Sequence, residues 1–356
     1  MGLRIKFKFK PGHKDYIPKD EQIKSVFWNL TNKCTHNCIF CYAKGGQPKN
    51  NELNLKESLA LIDEMVECGI KVITLSGGEP LLDSKFYPIL KKLSEYDFRI
   101  KICTNGYFLD SKTFDQIAKY NVATIQLSLN SINKDIYYKM TNAPKDAFER
   151  ALNALEVISQ QDIGIHTVVS TVPLEINKHE LLEMMNIAKM KGIETFSIYK
   201  PVPSGRAISQ KYFIKEEEFI GILDKLIEKF FEDKNNWLVE VEIPYFEFSE
   251  IRKKYNHYNI TTLPCRAGKY FVGLTSDGFI IPCPALEYPD FYYGNIRKEK
   301  LSEIIERVQN IIIKNETNPR KCKYFQFCRG GCKALSYILT GRISNCDPMC
   351  KKWIKW

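Results

Sequence analysis

From Lys24 to about Pro203 the chain alternates short apolar, β-rich runs with amphipathic stretches. Ser25–Thr31, Lys71–Ser76, Arg99–Thr104, Thr124–Leu129, Gly164–Thr171 and Thr195–Tyr199 read as strands, being short blocks rich in β-branched residues. Between them, residues near 54–68, 84–95, 111–120, 144–160 and 178–191 repeat apolar positions at three and four, the spacing of one helix face. Leu55, Leu59, Ile62, Met65 and Val66 mark one such face. Six strand–helix units in series predict an α/β fold with a parallel sheet and right-handed crossovers. Six units suit a partial (β/α)6 TIM-like barrel better than a closed eight-stranded one.

After Arg206 the pattern changes. Residues 214–233 predict one amphipathic helix through Phe219, Ile222, Leu223, Leu226, Ile227 and Phe230, and residues 237–262 have no strong period. From Cys265 the chain is rich in cysteines and turns; Tyr270–Thr275 and Phe279–Pro282 flank Ser276-Asp277-Gly278, a hairpin signal. The expected division is an N-terminal extension over 1–24, the partial barrel over 25–235, and a bridging segment with a C-terminal cysteine-rich domain over 236–356.

Composition narrows the chemistry. With 44% hydrophobic and 26% charged residues the chain can bury a sizeable core. No run approaches the ~20 apolar residues of a membrane helix, and Met1–Lys10 alternates basic and apolar residues, without the apolar core of a signal peptide. A cytoplasmic protein is expected. The net charge of +10 is spread along the chain, as on a solvated lysine-rich surface or one that attracts an acidic partner. No basic stretch interleaved with aromatics points to nucleic acid. Of twelve cysteines, ten fall within residues 34–41 and 265–350. In a reducing compartment such grouping points to metal or redox chemistry rather than disulfides. Cys68 and Cys103 stand apart and read as small buried hydrophobes.

Functional groups in parallel α/β folds sit at the carboxyl ends of strands. The informative residues lie there: Cys34, Cys38 and Cys41 after strand one, Ser76-Gly77-Gly78-Glu79-Pro80 after strand two, Thr104-Asn105-Gly106 after strand three, Ser128 and Asn130 after strand four. Three thiolates fall one short of a structural zinc site, for which His36 is the available fourth ligand. A [4Fe–4S] cube with three protein ligands instead leaves one iron open.

Cys34-Thr-His-Asn-Cys38-Ile-Phe-Cys41, with aromatic Phe40 before the last cysteine, resembles the signature of radical S-adenosylmethionine (SAM) enzymes. Gly77-Gly78-Glu79-Pro80 resembles their SAM amino-group motif, and Ser128 and Asn130 match ribose-contacting positions. The resemblance implies that Cys34, Cys38 and Cys41 hold the catalytic cluster. Phe40, Gly77, Gly78, Glu79, Pro80, Thr104, Asn105, Ser128 and Asn130 would line the SAM site. Reductive SAM cleavage would give a 5′-deoxyadenosyl radical that abstracts hydrogen from substrate, in an oxygen-sensitive, anaerobic setting.

The remaining cysteines, Cys265, Cys283, Cys322, Cys328, Cys332, Cys346 and Cys350, resemble the SPASM auxiliary-cluster domain over about 90 residues. Pro319 stands where that family has a further cysteine. The resemblance implies that Cys265, Cys283 and Cys332 serve one auxiliary cluster and Cys322, Cys328 and Cys350 a second, with Cys346 completing either. Seven thiolates cannot give two clusters four cysteines each. One cluster has an open iron, a group such as Asp347 fills the place, or one auxiliary cluster forms; a zinc ribbon is the alternative for this region.

The tail from Leu339-Thr340-Gly341 to Asp347-Pro348-x-Cys350, with Cys328-Arg-Gly-Gly-Cys332 and Pro201-Val-Pro-Ser-Gly-Arg206, is similar to that of peptide-modifying and alternative-haem-pathway members. Hydrogen abstraction from a peptide or protein side chain is the first expectation. It would call for a separate leader-peptide-binding protein, or none, and an acidic flavodoxin- or ferredoxin-type electron donor. The second is radical modification of a tetrapyrrole side chain; Lys200, Arg206 and Arg266 either face its propionates or serve as ordinary surface or cluster-stabilising charges. The third is a non-catalytic iron–sulfur electron carrier. His166, in strand five, is either a satisfied core histidine or a residue of the barrel interior.

Overall fold

The computed structural model describes residues 3–8, 22–161, 163–209, 211–232, 238–243, 260–263, 265–314, 325–343 and 346–348. Its frame is a single unclosed sheet. In chain order the strands are β1 (Leu3–Lys8), β2 (Ser25–Thr31), β3 (Val72–Gly77), β4 (Arg99–Thr104), β5 (Val122–Ser128), β6 (His166–Thr171), β7 (Thr195–Ile198), β8 (Leu238–Ile243), β9 (Ile260–Leu263), β10 (Phe271–Leu274) and β11 (Ile280–Ile281). They lie in the order β11-β10-β2-β3-β4-β5-β6-β7-β8-β1-β9. The six expected strands, β2 to β7, run parallel and in sequence. Two more parallel strands flank them, β8 beside β7 and β10 beside β2. The expected hairpin is present as β10 and β11, and it extends the barrel's own sheet.

The crossover helices are α1 (Leu55–Glu67), α2 (Phe86–Ser94), α3 (Ser111–Ile117), α4 (Lys134–Thr141), α5 (Ala147–Ser159), α6 (Leu181–Met190) and α7 (Glu216–Glu232). A capping box starts α1: Asn54 Oδ1 accepts from Glu57 N–H at 3.0 Å, and Glu57 Oε2 accepts from Asn54 N–H at 2.8 Å. Its buried stripe is Ser58, Leu61, Ile62 and Met65. The stripe is rotated from the expected one, leaving Leu55 and Val66 exposed.

Side chains alternate across each strand. Ile73, Leu75, Ile100, Ile102, Ile125, Leu127, Val169, Phe196 and Ile198 point at the helices and join one buried cluster with Leu61, Ile62, Ile89, Leu90 and Phe114. Burying each such side chain contributes roughly 1.5–3 kcal/mol. The opposite, inner face therefore carries the polar partners of the alternation: Asn29, Thr74, Ser76, Cys103, Gln126, Ser128, Ser170 and Ser197. Gln126 Nε2 donates to Ser170 Oγ at 3.0 Å, and Tyr199 Oη donates to Gln126 Oε1 at 3.2 Å, across that face. Among the described residues no helix is long and apolar enough to cross a membrane.

Candidate cluster and cofactor site

The loop after β2 is fixed by backbone contacts with the glycine turn after β3. Gly78 N–H donates to Thr31 O at 2.8 Å and Glu79 N–H to Lys33 O at 2.9 Å. Gly77 has φ +130°, and a Cβ on Gly78 would lie 2.3 Å from Lys33 O. Only glycine lets the two loops meet this closely. Gly45 and Gly46 close the far side: Cys34 N–H donates to Gly46 O at 2.9 Å, and Gly46 N–H to Asn32 O at 2.8 Å.

Cys34, Cys38 and Cys41 are held within electrostatic reach of one another. Burial pushes the Cys34 thiol up to about 12, with Glu79 and then Cys41 adding to it. Burial also raises Cys38, as do Cys41 and Cys34, while Arg206 opposes the shift. Two N–H groups face the Cys34 sulfur, His36 N at 3.4 Å and Asn105 Nδ2 at 3.7 Å. The Cys34 and Cys38 thiols stay neutral here only while no cation shares the site. An iron cluster supplies that positive charge, and peptide and amide N–H donors to sulfur are the contacts it needs. The residues present fit such a group.

Glu79 is fully buried, and burial lifts its carboxyl to about 7 against three hydrogen bonds. Its Oε1 accepts from Thr104 Oγ1 at 2.8 Å and Leu81 N at 3.2 Å; Oε2 accepts from Asn105 N at 2.8 Å. Pro80 follows as the first residue of a 3₁₀ turn, Pro80–Leu82, that Glu79 caps. A carboxylate offers about four acceptor positions, so these donors leave Glu79 one more. Thr104 and Asn105 are thus brought to Glu79 and Cys34. Ser128 is half-buried at the carboxyl end of β5. Asn130 is buried; its Oδ1 accepts from Val172 N at 3.0 Å and its carbonyl from Asn177 Nδ2 at 2.7 Å. Phe40 lines a narrow gap with Ile39, Leu174, Ala207 and Tyr212.

Several contacts were not legible in the sequence. The cysteine loop rests on the carboxyl end of α4, with Asn37 N–H on Thr141 O at 2.8 Å and Ile39 N–H on Met140 O at 2.9 Å. His36 is buried there, its Nε2 2.9 Å from Tyr137 Oη and its Nδ1 3.1 Å from Asn105 Nδ2. Burial lowers its ring to about 4, so it is neutral and its role is to join α4 and the β4 loop to the cysteines. Arg206, expected either to face a substrate or to serve as a surface or cluster-stabilising charge, donates from Nε to Cys38 O at 2.7 Å and from Nη1 to Gly45 O at 2.9 Å. Arg266 lies over the Tyr270 ring at 4.1 Å and Lys200 6.0 Å from the Phe219 ring. His166 sits at the amino end of β6, away from these loops, paired with Thr195 Oγ1 at 2.9 Å and Glu194. Cys68 ends α1 and packs against the core, while Cys103 is half-buried on the inner face.

A second thiol group lies beyond the β10–β11 hairpin. Cys283 and Cys332 are buried in one apolar cluster with Ala267, Phe271, Leu286 and Phe291, and Cys265 packs against it. Cys328 and Cys346 are half-buried; Cys322 and Cys350 lie outside the described residues. Tyr42, next to Cys41, stands between the two groups. Burial raises its phenol, and Cys41, Cys103, Cys283 and Glu287 each add to the shift.

The radical SAM superfamily profile matches residues 28–188, and the SPASM profile, an iron–sulfur cluster-binding domain, matches residues 265–333. The chain is a radical SAM enzyme with a SPASM domain. It is 26% identical to the AdoMet-dependent heme synthase of Methanosarcina barkeri (strain Fusaro), over 91% of this chain and 95% of that one. It is 24% identical to the mycofactocin maturase MftC of Mycolicibacterium smegmatis, over 91% of this chain and 81% of that one. Its fold is similar to the crystal structure of Streptococcus suis SuiB bound to the precursor peptide SuiA, with TM-score 0.76, 16% identity and coverage of 93% and 76% of the two chains. A radical SAM enzyme uses a [4Fe–4S] cluster and SAM, which sets aside the zinc and electron-carrier readings of the cysteines.

Proposed function

We propose that this radical SAM enzyme abstracts hydrogen from a side chain of a peptide or protein. The observation that carries the reading is the polar inner face of the sheet. Asn29 Oδ1 on β2 and Ser197 Oγ on β7 are buried there with no hydrogen-bond partner among the described residues. Each such buried polar group costs about 1–3 kcal/mol unless something pairs with it. An extended peptide presents an amide every residue and can satisfy both; a tetrapyrrole carries its polar groups only at its ring nitrogens and acid side chains.

In this reading Cys34, Cys38 and Cys41 bind the catalytic cluster, which with SAM supplies the hydrogen-abstracting chemistry. Glu79 uses its remaining acceptor position for the SAM ammonium, and Thr104 and Asn105 hold that carboxylate in place. Ser128 and Asn130 border the ribose, and Phe40 keeps water from the loop. The barrel covers residues 25–235 and the auxiliary-cluster region 236–356. A basic chain of net charge +10 suits an acidic electron donor.

A second reading, tetrapyrrole side-chain modification, is favoured by the likeness to a heme synthase over 91% of the chain. The test offers the reconstituted enzyme a uniformly deuterated peptide mixture, or a tetrapyrrole deuterated in its propionates. Deuterium in 5′-deoxyadenosine from the peptides alone supports the first reading; deuterium from the tetrapyrrole alone replaces it with the second.

A further inference from the structure

Asn105 Nδ2 lies 3.7 Å from Cys34 Sγ and 3.1 Å from His36 Nδ1. Tyr107 decides which end of the amide faces them: its backbone N–H donates to Asn105 Oδ1 at 2.9 Å. The amide nitrogen, a donor only, is therefore the end turned toward the cysteine and the histidine. His36 Nδ1 must then accept, which puts the ring proton on Nε2, 2.9 Å from Tyr137 Oη. A proton on Nδ1 would set two donors against each other, whereas Thr35 Oγ1, at 2.9 Å, can donate to the same nitrogen. The ring has little room to turn. It is 3% exposed and stands edge-on to Tyr107 and Tyr137, at centroid distances of 6.2 and 6.1 Å. One Nδ2 hydrogen of Asn105 thus serves His36, and the second is directed at the Cys34 sulfur. The Asn105 backbone N–H is engaged separately, by Glu79 Oε2 at 2.8 Å. A sulfur that accepts N–H bonds carries negative charge more readily, so each such bond favours the reduced, more negative state of an iron–sulfur cluster.

We propose that the Asn105 side chain is a hydrogen-bond donor that raises the reduction potential of the cluster held by Cys34, Cys38 and Cys41, and that His36 is the positioning residue that aims it. The proposal rests on the reading of these three cysteines as the catalytic cluster's ligands. It gives the histidine of the loop a task other than metal ligation: Nε2 carries the proton and Nδ1 takes the amide, so neither nitrogen has a lone pair left for a metal. It also divides Asn105 between two duties, its backbone holding Glu79 and its side chain serving the cluster.

The experiment is a redox titration of the full chain, reconstituted anaerobically and without SAM, followed by electron paramagnetic resonance. The signal to follow is the one missing from Cys34→Ala/Cys38→Ala/Cys41→Ala; if that variant loses neither signal nor iron, it is the underlying reading that fails. In Asn105→Ala, at unchanged iron and sulfide content, the equilibrium constant for reduction should fall about tenfold, a midpoint lower by ~59 mV for one electron. His36→Phe should lower the midpoint in the same direction. His36→Asn, whose amide oxygen can stand where Nδ1 stood, should recover most of that drop. His36→Phe/Asn105→Ala should lie no lower than Asn105→Ala, because the histidine acts through the amide. A wild-type midpoint in Asn105→Ala, or drops that add in the double variant, would overturn the proposal. If Asn105→Ala does not hold the cluster, the two histidine variants decide: equal midpoints in His36→Phe and His36→Asn would overturn it as well.

Discussion

Arg206 reaches back 168 residues along the chain to donate its Nε–H to the carbonyl oxygen of Cys38 at 2.7 Å. Its Nη1 takes Gly45 O at 2.9 Å, and its own backbone N–H takes Cys41 O at 3.0 Å. One side chain thus spans the cysteine loop from both ends, while Gly205 (φ +62°) brings the backbone so close that a Cβ would lie 2.4 Å from Cys41 O. A planar guanidinium can serve two carbonyls in fixed directions; an ammonium cannot. Arg206→Lys and Arg206→Ala are therefore both expected to weaken the loop by roughly 2 kcal/mol or more. Iron should leave the catalytic cluster at least about tenfold faster when challenged with a chelator. Iron release at the wild-type rate from both variants would show that the clamp is dispensable.

Glu79→Gln preserves shape but reverses one partner. The new amide can still accept from Thr104, yet it turns N–H groups toward Asn105 N–H, which Glu79 Oε2 now accepts at 2.8 Å. The loss of that bond and of the negative charge predicts SAM binding weakened by about 10–100-fold, or ~1.4–2.8 kcal/mol. The cysteine loop keeps its backbone bonds, so iron content should be unchanged. Equilibrium binding of SAM to the reconstituted variant checks this, and unaltered affinity would exclude Glu79 from the SAM site.

What the sequence could and could not reveal follows from where each signal is stored. Strands β2 to β7 are covered on their outer face by helices, so each carries a compact apolar block that stands out locally. The Gly77-Gly78 turn and the cysteine loop were legible because both are contiguous motifs. β1 was not: Leu3–Lys8 alternates basic and apolar residues, and that period-two pattern is a strand only because β8 lies opposite. The backbone register sets Leu3 opposite Ile243 in an antiparallel pair, a pairing written about 240 residues away. α4 escaped because only Tyr137, Met140 and Thr141 are buried in it, too few to show a periodic face. Arg206 was left between two roles for a related reason. A cation near a cavity resembles a substrate contact, and only the folded loop shows the carbonyls it serves.

His36 gives the apoprotein a pH dependence. Burial holds its ring at about 4 in the folded chain, against an ordinary value of 6.5. Between these values the unfolded chain binds a proton that the folded chain refuses. The His36 contribution to stability is therefore full above pH 6.5 and declines as pH falls toward 4, by up to about 3 kcal/mol at ~1.4 kcal/mol per unit, while Glu79, lifted by burial to about 7, acts in the opposite sense. Denaturant unfolding of apoprotein at pH 7 and pH 4.5 measures this. The wild-type loss should exceed that of His36→Leu, and parallel curves would show that another group is responsible.

The final prediction concerns the tie between the two matched domains. Lys49, just past the cysteine loop, donates to Asp277 Oδ1 at 3.0 Å and Glu287 Oε1 at 2.5 Å. Nearby, Leu53 N–H donates to Ser276 O at 2.7 Å, and Arg297 pairs with Glu57 at 2.6 Å. Lys49 thus separates two acids that would otherwise repel across the hairpin turn; burial disfavours its charge, and Glu287 and Asp277 together outweigh that and raise its affinity for a proton. Lys49→Met leaves those acids facing each other without a cation, at a cost of roughly 1–3 kcal/mol. Lys49→Met/Glu287→Gln removes most of the repulsion and should recover more than half of the loss, a non-additivity characteristic of direct contact. Amide hydrogen exchange over 271–281 reads the effect locally. It should quicken in the single variant and slow again in the double; additive effects of the two substitutions would mean that the tie carries no coupling between the domains.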